Sequence, residues 1–167
     1  IEGTGIGLFY LTGAVFQSSY EFLGGFEDFF VSIYTNREFV EALLDVCVDF
    51  YLKVIDIALD AGLTFLFLAD DVAYKQGTFL EPKLFKELWL PRMQRLVKPA
   101  KDAGVPVMFH SCGRVTDIFD DIIMEIGADC INPIEPYSND IFDIKKKYGD
   151  KISISGNIDI AGPLALG

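Results

Sequence analysis

The chain has 167 residues, 51% of them apolar and 23% charged, with 25 Asp+Glu against 14 Lys+Arg and a net charge of −11. That balance belongs to a folded globular domain, and its shortage of cations excludes phosphate-backbone binding as a main activity, so no nucleic-acid partner is expected. No apolar run approaches the roughly 20 residues that span a bilayer, which leaves no membrane partner either. Three cysteines, Cys47, Cys112 and Cys130, are too few and too odd a number for a secreted disulfide scaffold, and a reducing, cytoplasmic setting is expected. The first residue is Ile1 rather than Met, which reads as a trimmed or internal piece.

Residues 7–11 form a short apolar run that ends in Thr12-Gly13. Thr35 stands three residues before Glu38, the spacing of a capping box, ahead of a long helix that stops at Gly62. Its stripe of Phe39, Leu43, Val46, Phe50, Val54 and Ile57 recurs at steps of three and four. The TFLFL run at 64–68 predicts a strand buried on both faces and ends in Asp70-Asp71. A second long helix starts near Pro82, carries Pro91 as a kink or break, and closes at Gly104.

The next strand is predicted at 105–109, followed by a helix at 115–126 that Gly127 stops. A short strand at 129–132, a helix capped by Ser138 and running to about Tyr148, and a last strand at 152–155 complete the pattern. Five alternations of strand and helix mean parallel βα units, either in a doubly wound sheet or in part of a (β/α)8 barrel. No G-x-G-x-x-G follows a strand, and Gly3-Thr4-Gly5-Ile6-Gly7 precedes one. Polar residues stand after each strand instead: Thr12, Asp70-Asp71, His110-Ser111-Cys112, Asn132 with Glu135, and Asn157 with Asp159. Reactive residues at the C-terminal strand ends are the barrel arrangement. The predicted fold is α/β, a partial TIM barrel of about five consecutive βα units.

His110 is the only histidine, and Cys112 lies two residues on. On an extended segment both side chains point the same way and can converge on one ion, which suits zinc. The pair also fits a core histidine satisfied by a carbonyl, with the cysteine as packing. Asp70-Asp71 can hold a cation, orient a substrate or act as general acid; equally, one carboxylate caps a turn while the other is solvated. Glu135, Asn157 and Asp159 are weaker candidates for substrate binding, since each suits plain loop chemistry. Cys47 and Cys130 fall inside a predicted helix and strand and do not complete a ligand set.

The segment order, from a Tyr-bearing strand before Gly24-Gly25-Phe26 to Gly156-Asn157-Ile158-Asp159, resembles the uroporphyrinogen decarboxylase superfamily. Phe109-His110-Ser111-Cys112-Gly113 is most similar to its corrinoid-dependent branch, of the methylcobamide:coenzyme M methyltransferase type. That resemblance implies His110 and Cys112 as zinc ligands, with a third from a cysteine beyond Gly167. It further implies methyl transfer between a small substrate or thiol and a corrinoid carried by a partner protein. Tyr20 takes the place of the decarboxylases' pocket tyrosine, and Asp70, Asp71 and Tyr20 stand as candidate catalytic residues.

Two other readings remain. One is cofactor-free decarboxylation of a tetrapyrrole, whose many carboxylates demand a cationic pocket; the family's porphyrinogen-contacting Asp and Arg residues come from N-terminal segments outside these 167 residues. The other is a barrel that binds a corrinoid or small ligand without turnover. A whole barrel takes about 250 residues. The expectation is therefore one incomplete barrel domain over 1–167, lacking N-terminal and final βα units. Its strand edges would lie open unless a second copy covers them, so a homo-oligomer is expected.

Overall fold

A computed structural model describes residues 3–166. Five strands, β1 (Phe9–Gly13), β2 (Phe65–Ala69), β5 (Val107–His110), β6 (Cys130–Ile134) and β7 (Ser153–Gly156), form one parallel sheet in the order β1-β2-β5-β6-β7. Every crossover steps to the next position in the same direction. A doubly wound sheet reverses order at a switch point, and this one never does. The one-way order is that of barrel staves, and it brings all five C-terminal strand ends to one rim.

The sheet alternates between a closed and an open face. Leu66, Leu68, Val107, Phe109 and Ile131 are buried, while Phe65, Phe67, Met108, His110, Cys130 and Asn132 between them are only half-buried. This corrects the expectation for TFLFL: one face packs under helices, and the other looks into an incompletely enclosed interior. The covering layer is α3 (Arg37–Asp60) against α5 (Leu90–Asp102), with α1 (Val15–Phe22) and α2 (Phe26–Thr35) beside α3. Fully buried Trp89, Phe16, Phe29, Phe85 and Phe109 knit these helices to the sheet.

Several local expectations need correction. Tyr20 lies on helix α1, not on a strand. Thr35 does not cap α3; its Oγ1 donates to Val31 O at 3.1 Å in the last turn of α2, and Asn36 is the N-cap. Ser138 does not cap α6 (Ile141–Tyr148). Asp140 does, accepting from Phe142 N at 2.8 Å and Asp143 N at 3.2 Å. The helix expected at 115–126 is a 3-10 turn (Thr116–Ile118) followed by a π turn (Asp121–Ile126), which buries Ile122, Ile123 and Ile126 together before Gly127 closes it at φ 74°.

The break expected at Pro91 takes a particular form. Between α4 (Pro82–Leu84) and α5, the chain makes a π turn at Phe85–Trp89 in which Leu90 N donates to Phe85 O. One extra residue is taken up just before the proline, whose missing N–H could not have continued the ladder. The sequence reading also missed a small hairpin after β2, formed by β3 (Ala73–Tyr74) and β4 (Gly77–Thr78). A last short helix, α7 (Pro163–Leu166), follows β7. No helix among the described residues is long and apolar enough to cross a membrane.

Candidate metal centre

Asp71 Oδ1, His110 Nε2 and Cys112 Sγ lie within 4.8 Å of one another at the rim above β2 and β5. Nε2 is 3.8 Å from Sγ and 3.8 Å from Asp71 Oδ1. Tetrahedral zinc with bonds of about 2.0 Å to nitrogen and about 2.3 Å to sulfur sets those two donors roughly 3.6 Å apart, so the arrangement fits with little movement. Asp71 is the third potential donor of this cluster, and the cysteine expected beyond Gly167 lies outside the described residues. In sequence Asp71 suits a cation holder or a general acid, and the β2–β5 pairing is what brings it to the His-x-Cys pair.

The histidine is oriented before any ion arrives. Register sets His110 directly beside Asn132 on the neighbouring strand. Asn132 Nδ2 donates to Ser155 Oγ at 3.0 Å, so its Oδ1 faces His110 Nδ1 at 2.9 Å and takes the ring proton. The Nε2 lone pair is then free and aimed at the cluster. An outer partner of this kind is what fixes the tautomer of a metal-binding histidine. In sequence Asn132 is only a rim residue, because its action on His110 depends on strand register.

The loop carrying Cys112 is gripped from both sides. Cys112 N donates to Asp71 Oδ1 at 2.8 Å, Val72 N donates to Ser111 Oγ at 3.1 Å, and Arg114 N donates to Tyr74 O at 2.8 Å. From the other side Gly113 N donates to Glu135 Oε2 at 2.9 Å, and Asn139 Nδ2 donates to Gly113 O at 3.1 Å. Glu135 Oε2 also accepts from Ser138 Oγ at 3.2 Å. Gly113 sits at φ +84°, and a Cβ there would come within 2.7 Å of Ala73 C and Tyr74 N. Glycine is required by both backbone conformation and space.

Electrostatics follow from this crowding. Partial burial, then the charges of Asp71 and Glu135, push the Cys112 thiol up to about 11. Without a cation the sulfur stays protonated at neutral pH. Tyr20, on α1, is also raised, by burial and then by Asp71 and Asp70, so its phenol keeps its proton and can donate. Asp70 is placed differently from its neighbour. It is fully buried and accepts from Val15 N, Phe16 N, Gln17 N and Trp89 Nε1 at 3.2, 3.1, 2.7 and 2.8 Å. It caps the start of α1 from across the chain and does not line the cavity.

Below the cluster lies a cavity of about 500 Å³, with His110, Cys112, Glu135, Asn157, Asp159 and Lys75 among its walls. That volume suits a small molecule. Asn157 adopts φ 67° and donates its N–H to Ile134 O at 2.7 Å, turning the chain after β7 back across the rim. Asp159 accepts from Tyr137 Oη at 2.6 Å and from Ala161 N and Gly162 N, and the Tyr137 bond holds its carboxyl below the usual range. Of the residues singled out in sequence, His110, Cys112, Glu135, Asn157 and Asp159 share one cavity. Asp71 joins the donor cluster from the side, Tyr20 is raised by the charges of Asp71 and Asp70 but does not line the cavity, and Asp70 serves the scaffold.

Residues 11–165 match the sequence profile of the family described as uroporphyrinogen decarboxylase (URO-D). No curated protein matches the chain. Among solved structures it is similar to a methyltransferase from Methanosarcina mazei, with a TM-score of 0.79 at 18% identity; the match covers 98% of this chain and 46% of that one. The chain thus spans about half the length of this structural relative, and at that identity the likeness establishes the fold.

Proposed function

Because the chain belongs to the uroporphyrinogen decarboxylase (URO-D) family, we propose that it is a metal-assisted methyltransferase of that family, acting between a small substrate or thiol and a corrinoid on a partner protein. What supports this reading above all is the donor set Asp71, His110 and Cys112, with Nε2 turned toward the cluster by Asn132. Nitrogen and sulfur donors favour zinc over magnesium or calcium. The methyltransferase fold of the structural relative agrees with it.

In this reading Asp71, His110 and Cys112 hold the ion, and Asn132 keeps the imidazole in its ligating tautomer. Bound zinc supplies Lewis acidity that lets a thiol shed its proton near neutral pH. Glu135 and the hairpin fix the Cys112 loop, so the donor geometry does not have to be organised when the ion enters. Asn157 and Asp159 bound the substrate cavity, and Tyr20 stays neutral beside the charges of Asp71 and Asp70. Asp70 holds α1, and with it Tyr20, in register with β2. A cytoplasmic location suits a thiol ligand that must remain reduced.

Tetrapyrrole decarboxylation is less well supported, because a reaction without metal or cofactor gives the Asp71, His110 and Cys112 donor set no role. Equilibrium zinc titration tests the proposal. The expected result is one ion per chain, lost in His110→Ala and Cys112→Ala and weakened about 10- to 100-fold in Asn132→Ala. Since burial and the neighbouring carboxylates push the Cys112 thiol up to about 11, binding must release its proton, and affinity should rise at least tenfold per pH unit between pH 6 and 8. Zinc-dependent loss of the methyl group from free methylcobalamin to a thiol, followed by absorbance, reads the activity. A metal-free protein that turns over uroporphyrinogen would overturn it.

A further inference from the structure

We propose that residues 157–162 form a strap at the mouth of the cavity, hinged at Asn157 and fastened by Tyr137, and that it admits ligand when the Tyr137–Asp159 bond opens. The inference rests on the reading of the cavity as a substrate site and adds how that site is entered. Two loops beyond the strand ends supply much of the wall: residues 135–138 after β6 and residues 157–161 after β7. Tyr137 Oη donates to Asp159 Oδ2 at 2.6 Å and so joins one loop to the other.

Among the described residues, that bond is the one hydrogen bond from 158–162 back to the sheet and the loops around it. Asp159 Oδ1 accepts from Ala161 N at 2.8 Å and Gly162 N at 3.1 Å, which ties the strap into one small turn. At its start Asn157 N donates to Ile134 O at 2.7 Å, and Asn157 takes φ 67° just after Gly156 at φ 117°. Asparagine enters left-handed backbone more easily than most residues. The strap is therefore pinned at Asn157, stiff within itself, and held to the other loop by one bond between two exposed groups. Such a bond opens locally without disturbing the core.

The apolar side chains of the strap point to what closes it. Ile158 and Ile160 are 67% and 72% exposed although both line the cavity. Apolar groups that border a cavity and remain open to water gain burial when a ligand fills that space. A filled cavity thus favours the fastened strap, and an empty one permits opening. Closure of this kind turns on a few residues at an element end that absorb the backbone change, and Asn157 stands at the end of β7.

Alkylation of Cys112, which is half-buried and belongs to the cavity wall, reads the strap in the full chain without metal. The probes are iodoacetamide and iodoacetamidofluorescein, which share a reactive group and differ in bulk. Each rate is divided by the rate on glutathione, and the ratio of the two cancels the thiolate fraction of Cys112. Wild type should label about tenfold more slowly with the bulky probe, the size of one solvent-accessible hydrogen bond to a charged group. Tyr137→Phe should bring the ratio close to one, and Tyr137→Lys, whose ammonium reaches Asp159 on a stem of similar length, should restore it. Labelling of Cys130, which is outside the cavity wall, and the urea midpoint should not move. A ratio that Tyr137→Phe leaves unchanged, or one already near unity in wild type, overturns the strap. So does a Tyr137→Phe protein whose Cys130 labels faster by the same factor, because that is general loosening. If the ratio responds in a chain that binds no zinc, the metal reading fails and the strap stands; if zinc binds and the ratio does not respond, the strap alone fails.

Discussion

Asp70 and Asp71 are adjacent in sequence and identical in chemistry, yet they do different work. Strand alternation sends Asp71 toward the Cys112 loop and Asp70 under the start of α1, where four N–H groups converge on it. Burial outweighs those bonds and raises the Asp70 carboxyl to about 6 from an ordinary value near 3.8. A folded-state value above the unfolded one means the folded protein binds the proton more tightly. The stability from this group is complete below about pH 4 and declines as pH rises through 6. The advantage of wild type over Asp70→Asn in urea unfolding should therefore shrink by up to about 3 kcal/mol between pH 4 and 7. An advantage constant across that window would mean that Asp70 titrates normally. The carboxylate pair at a strand end was legible in sequence; which member faced the rim depended on the exit angle of β2 and the position of a helix some 55 residues earlier.

Among the elements, the strands and the extent of the long helix α3 follow from apolar runs and the stop at Gly62, but the buried face of α3 is Val40, Leu44, Val48 and Ile55, not the stripe through Phe39, Val46, Phe50 and Ile57, which is exposed. The parts that grip the Cys112 loop are not legible in that way. The β3–β4 hairpin consists of two-residue strands with no hydrophobic alternation to betray it, and Ser138 looked like a helix cap while it serves Glu135. Gly113 is where the hairpin and the Cys112 loop touch. Gly113→Ala should cost about 1–3 kcal/mol of stability, from a positive φ and contact with backbone that cannot move away. It should also weaken zinc binding, because the Cys112 loop must shift. Denaturant melts paired with zinc titration check both, and a variant unchanged in both would show that the clasp is loose.

At the scale of the whole molecule, β1 and β7 are the outer strands of an open sheet. Phe9 and Leu11 on β1 are exposed, as are Phe39, Val46, Phe50 and Ile57 along α3. An edge strand with unpaired backbone and apolar side chains is a template for association. Sedimentation of the 167-residue chain should reveal concentration-dependent self-association, and Leu11→Lys should move the distribution toward monomer. A monodisperse wild-type monomer would show that the β1 edge is protected.

Parallel βα units were legible in sequence, because alternating apolar runs and amphipathic helices place the polar residues after each strand on one rim, and the one-way strand order then makes those units barrel staves. The sequence also marked His110 and Cys112, since a spacing of two on an extended segment already makes them converge. The company they keep came from the folded chain alone: Asp71 from the end of the adjacent strand and Asn132 from the next strand. Those partners are set by inter-strand register and loop closure, and such long-range contacts leave no local period in the chain.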